Sequence, residues 1–438
     1  MAYSIITCIA SLFVLLYVLR LSQLSLGLPF AYLAGLLLIH VPGAYAHYIN
    51  PAAFWTNEYV ALGIYYAALA SAFFVVGVIG AGFGGRAPPP VANPDRKRFI
   101  QFCFFGGLGF VYGLNYFQDI PSLGAAIEKG GAVWILGTML GLKSAVKRGN
   151  PKEMFVWCAA SMVYPVLKLV LGGFLSYGSA ALIIIYSVLV VTVGKAWKVV
   201  IGIIFAVVFG MNLFVNYFQH REYIREEAWG GASLEDKLDA SLSIVTDFQW
   251  FSTENPKQMA ALDARLNQNY FVGLAAERLQ AGVVSYLQGR SLWEGLIALV
   301  PRALWPDKPV YGGSPMIVAE MTGLHLSTTT SWGVGNVMEA QINFGTTGVI
   351  VSFLLFGFFL GKLDRAAALA ERRADYGRLI LYFLPAIAAI QPNGSIVEVT
   401  SGTAAAFIAA FGWRWAWQQL KKRPRQRTRP SVTGALSR

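Results

Sequence analysis

The stretch VVIGIIFAVVFGMNLFVNYF, residues 199–218, runs for twenty positions without a charged side chain. A hydrocarbon layer of about 30 Å is crossed by roughly 20 helical residues, so the stretch reads as a membrane-spanning helix. The rest of the chain repeats it. Of 438 residues 56% are hydrophobic and 13% charged, where a soluble domain has about 45–50% and about 25%. Apolar runs predict spans near 4–19, 24–46, 58–82, 99–117, 126–142, 153–171, 178–194, 197–218, 337–361, 377–391 and 400–418. The run 5–19 lacks a basic leader and a small-residue cleavage site, so it reads as a retained helix. The expected fold is an all-α polytopic membrane protein of about eleven transmembrane helices. Its expected parts are spans one to eight in 1–218, a large partly helical loop at 219–345, three more spans in 346–418, and a basic tail at 419–438.

Charge sets the expected orientation. The net charge is +12, yet 219–345 holds nine Lys/Arg against fourteen Asp/Glu, leaving +17 for the remainder. That excess lies in short segments beside spans: Arg96-Lys97-Arg98, Lys143 to Lys152, Lys195 with Lys198, Arg365 to Arg378, and the tail from Arg414. Basic loops stay on the cytoplasmic side. The N-terminus and the 219–345 loop are therefore expected outside, in the periplasm of a bacterial inner membrane, and the C-terminus inside. The same distribution argues against nucleic acid as a partner and for the bilayer. Cys8, Cys103 and Cys158 all fall in apolar runs and have no metal-ligand spacing. Internal repeats of the kind that build inverted-repeat transporters are absent from the sequence.

A loop of this length with helices of its own is usually functional. Ser233 and Asn255-Pro256 read as helix starts, followed by stripes Leu234, Leu238, Leu242, Val245 and Met259, Leu262, Leu266, Tyr270. Ser291-Leu-Trp-Glu294 reads as a capping box that opens a short apolar helix over 292–300. There follows Pro301-Arg302-Ala-Leu304-Trp305-Pro306-Asp307-Lys308-Pro309. Its prolines restrict the backbone and hold Arg302 and Lys308 as preset cations for an anionic substrate. The alternative is a stiff turn in which Asp307 pairs with Arg302 or Lys308.

This proline-rich segment resembles the outer-loop motif of the bacterial oligosaccharide repeat-unit polymerases, the O-antigen and exopolysaccharide polymerases of the lipid-linked, flippase-dependent route. Arg278, in Glu277-Arg278-Leu279, and Asn343-Phe344-Gly345 with Glu339 one turn earlier agree with it. So does the layout of many spans with one long late loop. The resemblance implies a glycosyltransferase that moves a glycan from undecaprenyl diphosphate to a sugar hydroxyl of a second lipid-linked repeat unit, releasing the lipid diphosphate. The implied partners are those lipid-linked oligosaccharides, with a flippase and a chain-length regulator of the same route. O-antigen ligase and lipid-linked-sugar flippase are the competing readings.

The chemistry suggests residues for each role. For the diphosphate they are Arg302, Lys308 and Arg278, with Arg221, Arg225, Lys168, Asn343 and Trp305 as further substrate contacts. Arg221 and Arg225 are interleaved with Glu222, Glu226 and Glu227, so a solvated charged helix is the competing account. Lys168 lies in an apolar run and either lines a cavity or snorkels to the surface. For the general base the candidates are Glu339, Asp307, His325 and Glu320. Glu339 and Asn343 share a helix face directly above the ninth expected span. No cofactor or catalytic metal is expected.

Overall fold

The computed structural model describes residues 1–50, 56–82, 87–113, 123–300, 305, 307–309, 313–325 and 332–422. The described residues form eighteen helices and no strand. The first four are α1 (Ala2–Ser22), α2 (Leu28–Leu38), α3 (Val41–Ile49) and α4 (Asn57–Gly80). Next come α5 (Arg96–Gly113), α6 (Leu123–Gly131), α7 (Val133–Arg148), α8 (Pro151–Gly172), α9 (Ser176–Thr192) and α10 (Ala196–Trp229). The following segment contributes α11 (Leu234–Thr246), α12 (Pro256–Arg265), α13 (Asn269–Gln280), α14 (Arg290–Ala298) and α15 (Gly313–Thr322). The chain closes with α16 (Asn336–Arg372), α17 (Tyr376–Ala388) and α18 (Ile396–Lys422).

Seven segments are long and apolar enough to cross a membrane: α1, the α2–α3 pair, α4, α8, α10, α16 and α18. The other four expected spans are present as helices but fall short of that length or composition. α5 opens on Arg96-Lys97-Arg98, while α9 and α17 have 17 and 13 residues. The expected span at 126–142 breaks at Gly131 into α6 and α7. The expected 24–46 span also breaks, at Ile39-His40, because Pro42 has no N–H for a continuous helix and restricts the residue before it.

The core is organised around α4 and α16. A Cβ on Gly77 would stand 2.1 Å from the Leu354 carbonyl oxygen, and one on Gly357 2.2 Å from that of Phe74. The two helices therefore cross at backbone contact, where packing depends on small residues rather than on water-driven burial. α13 docks on the other end of α4 in the same way, with Gly273 against the Tyr59 carbonyl and Gly63 against Asn269. α13 contributes Tyr270 to Leu279 to the same hydrophobic core as α4 and α16.

The two ends of α16 carry different chemistry. At its far end Glu371 is buried between Lys143 Nζ at 2.6 Å and an Arg96 guanidinium nitrogen at 2.9 Å. At its start Glu339 is fully buried. Between them Phe344 and Gly345 leave helical geometry, with Gly345 at φ +62°, so the first turns of α16 are angled against the rest.

Three local expectations change. α14 starts at Arg290 with Gly289 as its N-cap, not with Ser291 as a capping residue. The Ser291 hydroxyl instead accepts from Asn343 Nδ2 at 2.8 Å. The stripe Leu234, Leu238, Leu242, Val245 does lie on a helix, with Ser233 as its reciprocal cap. That stripe is exposed, and α11 packs through Ala240 and Ile244. The second stripe is split, because α12 ends at Arg265 and Tyr270 belongs to α13.

Candidate functional site

Glu339 gathers the starts of three helices. It sits in the first turn of α16, and its Oε2 accepts from the Ile396 backbone N–H at 2.6 Å. It thereby satisfies one of the orphan donors at the start of α18. Its Oε1 is buried and makes no hydrogen bond within the distance and angle of an ordinary one among the described residues. One turn on, Asn343 Nδ2 donates to the Glu339 carbonyl at 2.7 Å and to Ser291 Oγ, while Asn343 Oδ1 accepts from Gly289 N–H at 3.0 Å. Asn343 thus ties the start of α14 to the start of α16, and Ser291 stands beside the Glu339 carboxylate.

A ring of polar groups surrounds this centre. Glu294 and Glu398 are its charged neighbours. Glu398 and Ser395 cap α18 reciprocally, Ser395 N–H donating to Glu398 Oε2 at 2.9 Å and Glu398 N–H to Ser395 Oγ at 3.3 Å. Ser314 Oγ of α15 reaches Glu398 Oε1 at 3.4 Å. Arg290 bridges Glu294 at 3.6 Å and Glu320 at 2.5 Å. Burial pushes the Glu294 carboxyl above the usual carboxylate range, against the pull of Arg290.

An apolar groove of about 390 Å³ lies between α16 and α18. Leu299 closes its upper edge, Phe356, Phe359, Leu360 and Leu363 of α16 form one wall, and Val399, Thr400, Thr403 and Phe407 of α18 form the other. Thr400 ties wall to ring, its Oγ1 donating to the Gly295 carbonyl of α14 at 3.2 Å. Both of its walls belong to helices long and apolar enough to span a membrane. Its shape and lining suit a hydrocarbon chain. A carboxylate with one oxygen anchored and the other unpartnered can take a proton from a hydroxyl brought to it. α14 covers this carboxylate and must shift for a hydroxyl to reach it.

The other sequence-derived candidates scatter. Glu320 belongs to the ring through Arg290, and about half of its side chain is exposed. Lys308 is not free for an anion: its Nζ donates to the Ala298 and Val300 carbonyls at 3.2 and 2.9 Å, closing the end of α14. Asp307 and Trp305 are exposed beside it, and Asp307 pairs with no described residue. Arg302 lies outside the described residues. Arg278 packs its guanidinium against Gly323 at the end of α15, with Nε buried and unpartnered. His325 is exposed just beyond that helix. Lys168 Nζ lies 5.6 Å from the Tyr164 ring centre on α8. Arg221 and Arg225 lie on α10, which packs against α8, α9, α11 and α12. Among the described residues no group of three or more His, Cys, Asp or Glu is placed to hold a metal ion.

Sequence reading missed Ser291 as a site residue, along with Glu398, Thr400 and the groove. Ser395-Ile-Val-Glu398 carries the capping-box spacing, so Glu398 was within reach of the sequence. The groove was not, because it depends on which faces of α16 and α18 meet.

Fold and site together define an all-helical arrangement with seven potential spans among the described residues, a buried carboxylate at the start of α16 and an apolar groove between α16 and α18. The chain belongs to the family described as a domain of unknown function (DUF8712), whose family model matches residues 45–371. That match takes in Glu339 and the other candidate residues but stops before α18. No curated protein and no solved structure matches the chain.

Proposed function

We propose that the protein polymerises lipid-linked oligosaccharide repeat units at the outer face of a bacterial inner membrane, as an undecaprenyl-diphosphate-dependent glycosyltransferase. The observation that supports this reading is the buried Glu339 carboxylate, hydrogen-bonded to the start of α18, the helix whose Val399, Thr400, Thr403 and Phe407 line an apolar groove with α16. A polyprenyl tail needs a lateral apolar slot, and its sugar needs a proton acceptor where that slot meets the head groups. In this reading the groove takes the prenyl chain of one lipid-linked substrate, and Glu339 accepts the proton of the attacking sugar hydroxyl. That hydroxyl bonds to the anomeric carbon as the bond to the lipid diphosphate breaks. Arg302, argued from its place in the proline-rich sequence that follows α14, holds the departing diphosphate. Eleven spans, a periplasmic 219–345 segment and a cytoplasmic tail complete the arrangement, supported by the basic residues of the short loops.

The test is the lipid-linked product profile of a deletion strain of the source organism. Loss of a polymerase leaves single repeat units on the lipid carrier. Unattached polymer marks a ligase, units retained on the cytoplasmic face mark a flippase, and either of these would overturn the proposal.

A further inference from the structure

A second concentration of charge lies away from Glu339, where α12 ends against α10. Asn212 Oδ1 accepts from Phe251 N–H and Asn216 Oδ1 from Gln249 N–H, each at 2.7 Å, and Asn216 Nδ2 donates to the Gln249 carbonyl at 2.8 Å. These bonds pin the segment that feeds α12, and Met211 packs on Met259 and Leu262. The junction carries Arg221 and Arg225 from successive turns of α10 and Arg265 from the last turn of α12. Arg225 stacks over Phe174 and Trp229, 4.9 and 5.3 Å from the ring centres, with Nε 3.5 Å from the Gly173 carbonyl that ends α8. Tyr217, whose hydroxyl donates to that same carbonyl at 2.7 Å, stands beside Arg221.

None of the three arginines forms a salt bridge with a carboxylate among the described residues. Glu222, next to Arg221, is exposed and unbridged to it. Arg265 is half-buried, and among the described residues it has no hydrogen bond, ion pair or ring contact. Burial, and then the charges of Arg221 and Arg225, push its pKa down to about 10. Crowding like charges at a half-buried junction is unfavourable unless an anion binds there.

Position limits what that anion is. α10 has 34 residues, or about 51 Å at 1.5 Å per residue, against a hydrocarbon thickness of about 30 Å. Its last three turns, which carry Arg221 and Arg225, therefore stand at or beyond the head-group plane. Guanidinium forks match phosphate oxygens two at a time, and a cluster of them suits a group with more than one negative charge. We propose that Arg221, Arg225 and Arg265 form a binding site for the phosphate ester of a lipid head group, set apart from the Glu339 groove. Naming its occupant as the diphosphate of the second lipid-linked substrate rests on the polymerase reading; the phosphate chemistry does not.

The test uses the full-length protein in detergent, with thermal unfolding followed against inorganic pyrophosphate, farnesyl diphosphate and neutral farnesol. Both diphosphates should raise Tm, farnesyl diphosphate at lower concentration, and farnesol should not. Arg265→Gln should raise the ligand-free Tm by relieving repulsion and weaken diphosphate binding by about tenfold or more. Arg221→Gln should behave alike, and Lys257→Gln, which removes an exposed cation at the other end of α12, should bind as wild type does. The site is refuted if neither diphosphate stabilises the protein, or if the arginine variants lower the ligand-free Tm and leave binding unchanged. Pyrophosphate binding with no gain from the farnesyl chain refutes the lipid head group and leaves a free anion. Intact diphosphate binding in a protein whose deletion leaves repeat-unit polymer normal keeps the site and removes the polymerase reading.

Discussion

Glu339 holds two jobs with two oxygens. Oε2 caps α18, and Oε1 is buried and unpartnered among the described residues. A glutamine keeps an acceptor for the Ile396 N–H but cannot take a proton, whereas alanine loses both functions. Glu339→Gln therefore separates base from cap, and Glu339→Ala should unfold at lower temperature than either. Arg302 is argued from its sequence position. Pro301 fixes the chain before it, its charge persists at any working pH, and a cation at a departing diphosphate acts on the transition state. Arg302→Ala should reduce polymer formation about a hundredfold, and Arg302→Lys should also be impaired because a point charge does not replace a two-pronged contact. The charge swap R302D with D307R should stay inactive, measured as polymer per unit of membrane-inserted protein; recovery by the swap would make the pair a loop-shaping contact instead. Glu339 was legible because it is a carboxylate at the head of a long apolar run. Nothing in the spacing of Lys308 reveals that its Nζ also bonds the carbonyls of Ala298 and Val300 at the end of α14.

Helices were easier to read than their faces. Each expected span contains a helix, since an apolar run without turn residues has few other options in a hydrophobic setting. The breaks at Pro42 and Gly131 were written in the chain but yielded to overall apolarity in the reading. The stripe on α11 gave the helix and its cap but not its covered face, because periodicity shows that one side differs and not which side is covered. α10 outran its expected boundary at residue 218, placing Arg221 and Arg225 on the span helix itself. The crossing of α4 and α16 makes the sharpest demand at this scale. Gly357→Leu puts a branched side chain where the Phe74 carbonyl stands, so the yield of monodisperse protein from detergent should fall severely. Gly202→Leu on α10, where an added Cβ meets nothing within 4 Å, should be tolerated. Equal yields from the two variants would contradict the crossing.

At the scale of the molecule, α16 joins two chemistries. Its far end is tied down by the Glu371, Lys143 and Arg96 cluster, and its near end carries the buried Glu339 bonded to the start of α18. If basic loops mark the cytoplasm, the Glu371 end is inside and the Glu339 end outside. A topology reporter placed near Lys257 should then read periplasmic and one after Arg423 cytoplasmic; reversed signals would move the site to the wrong face for periplasmic polymerisation. The charge pattern is the sequence's argument for this orientation. The groove was not legible there, since it exists only where α14, α16 and α18 come together. The most direct test of the whole account is to complement the deletion strain with Glu339→Gln at wild-type expression and inspect its lipid-linked products. The account predicts single repeat units on the carrier, polymer down by about a hundredfold or more, and a Tm near that of wild type. Wild-type polymer from that variant would contradict it.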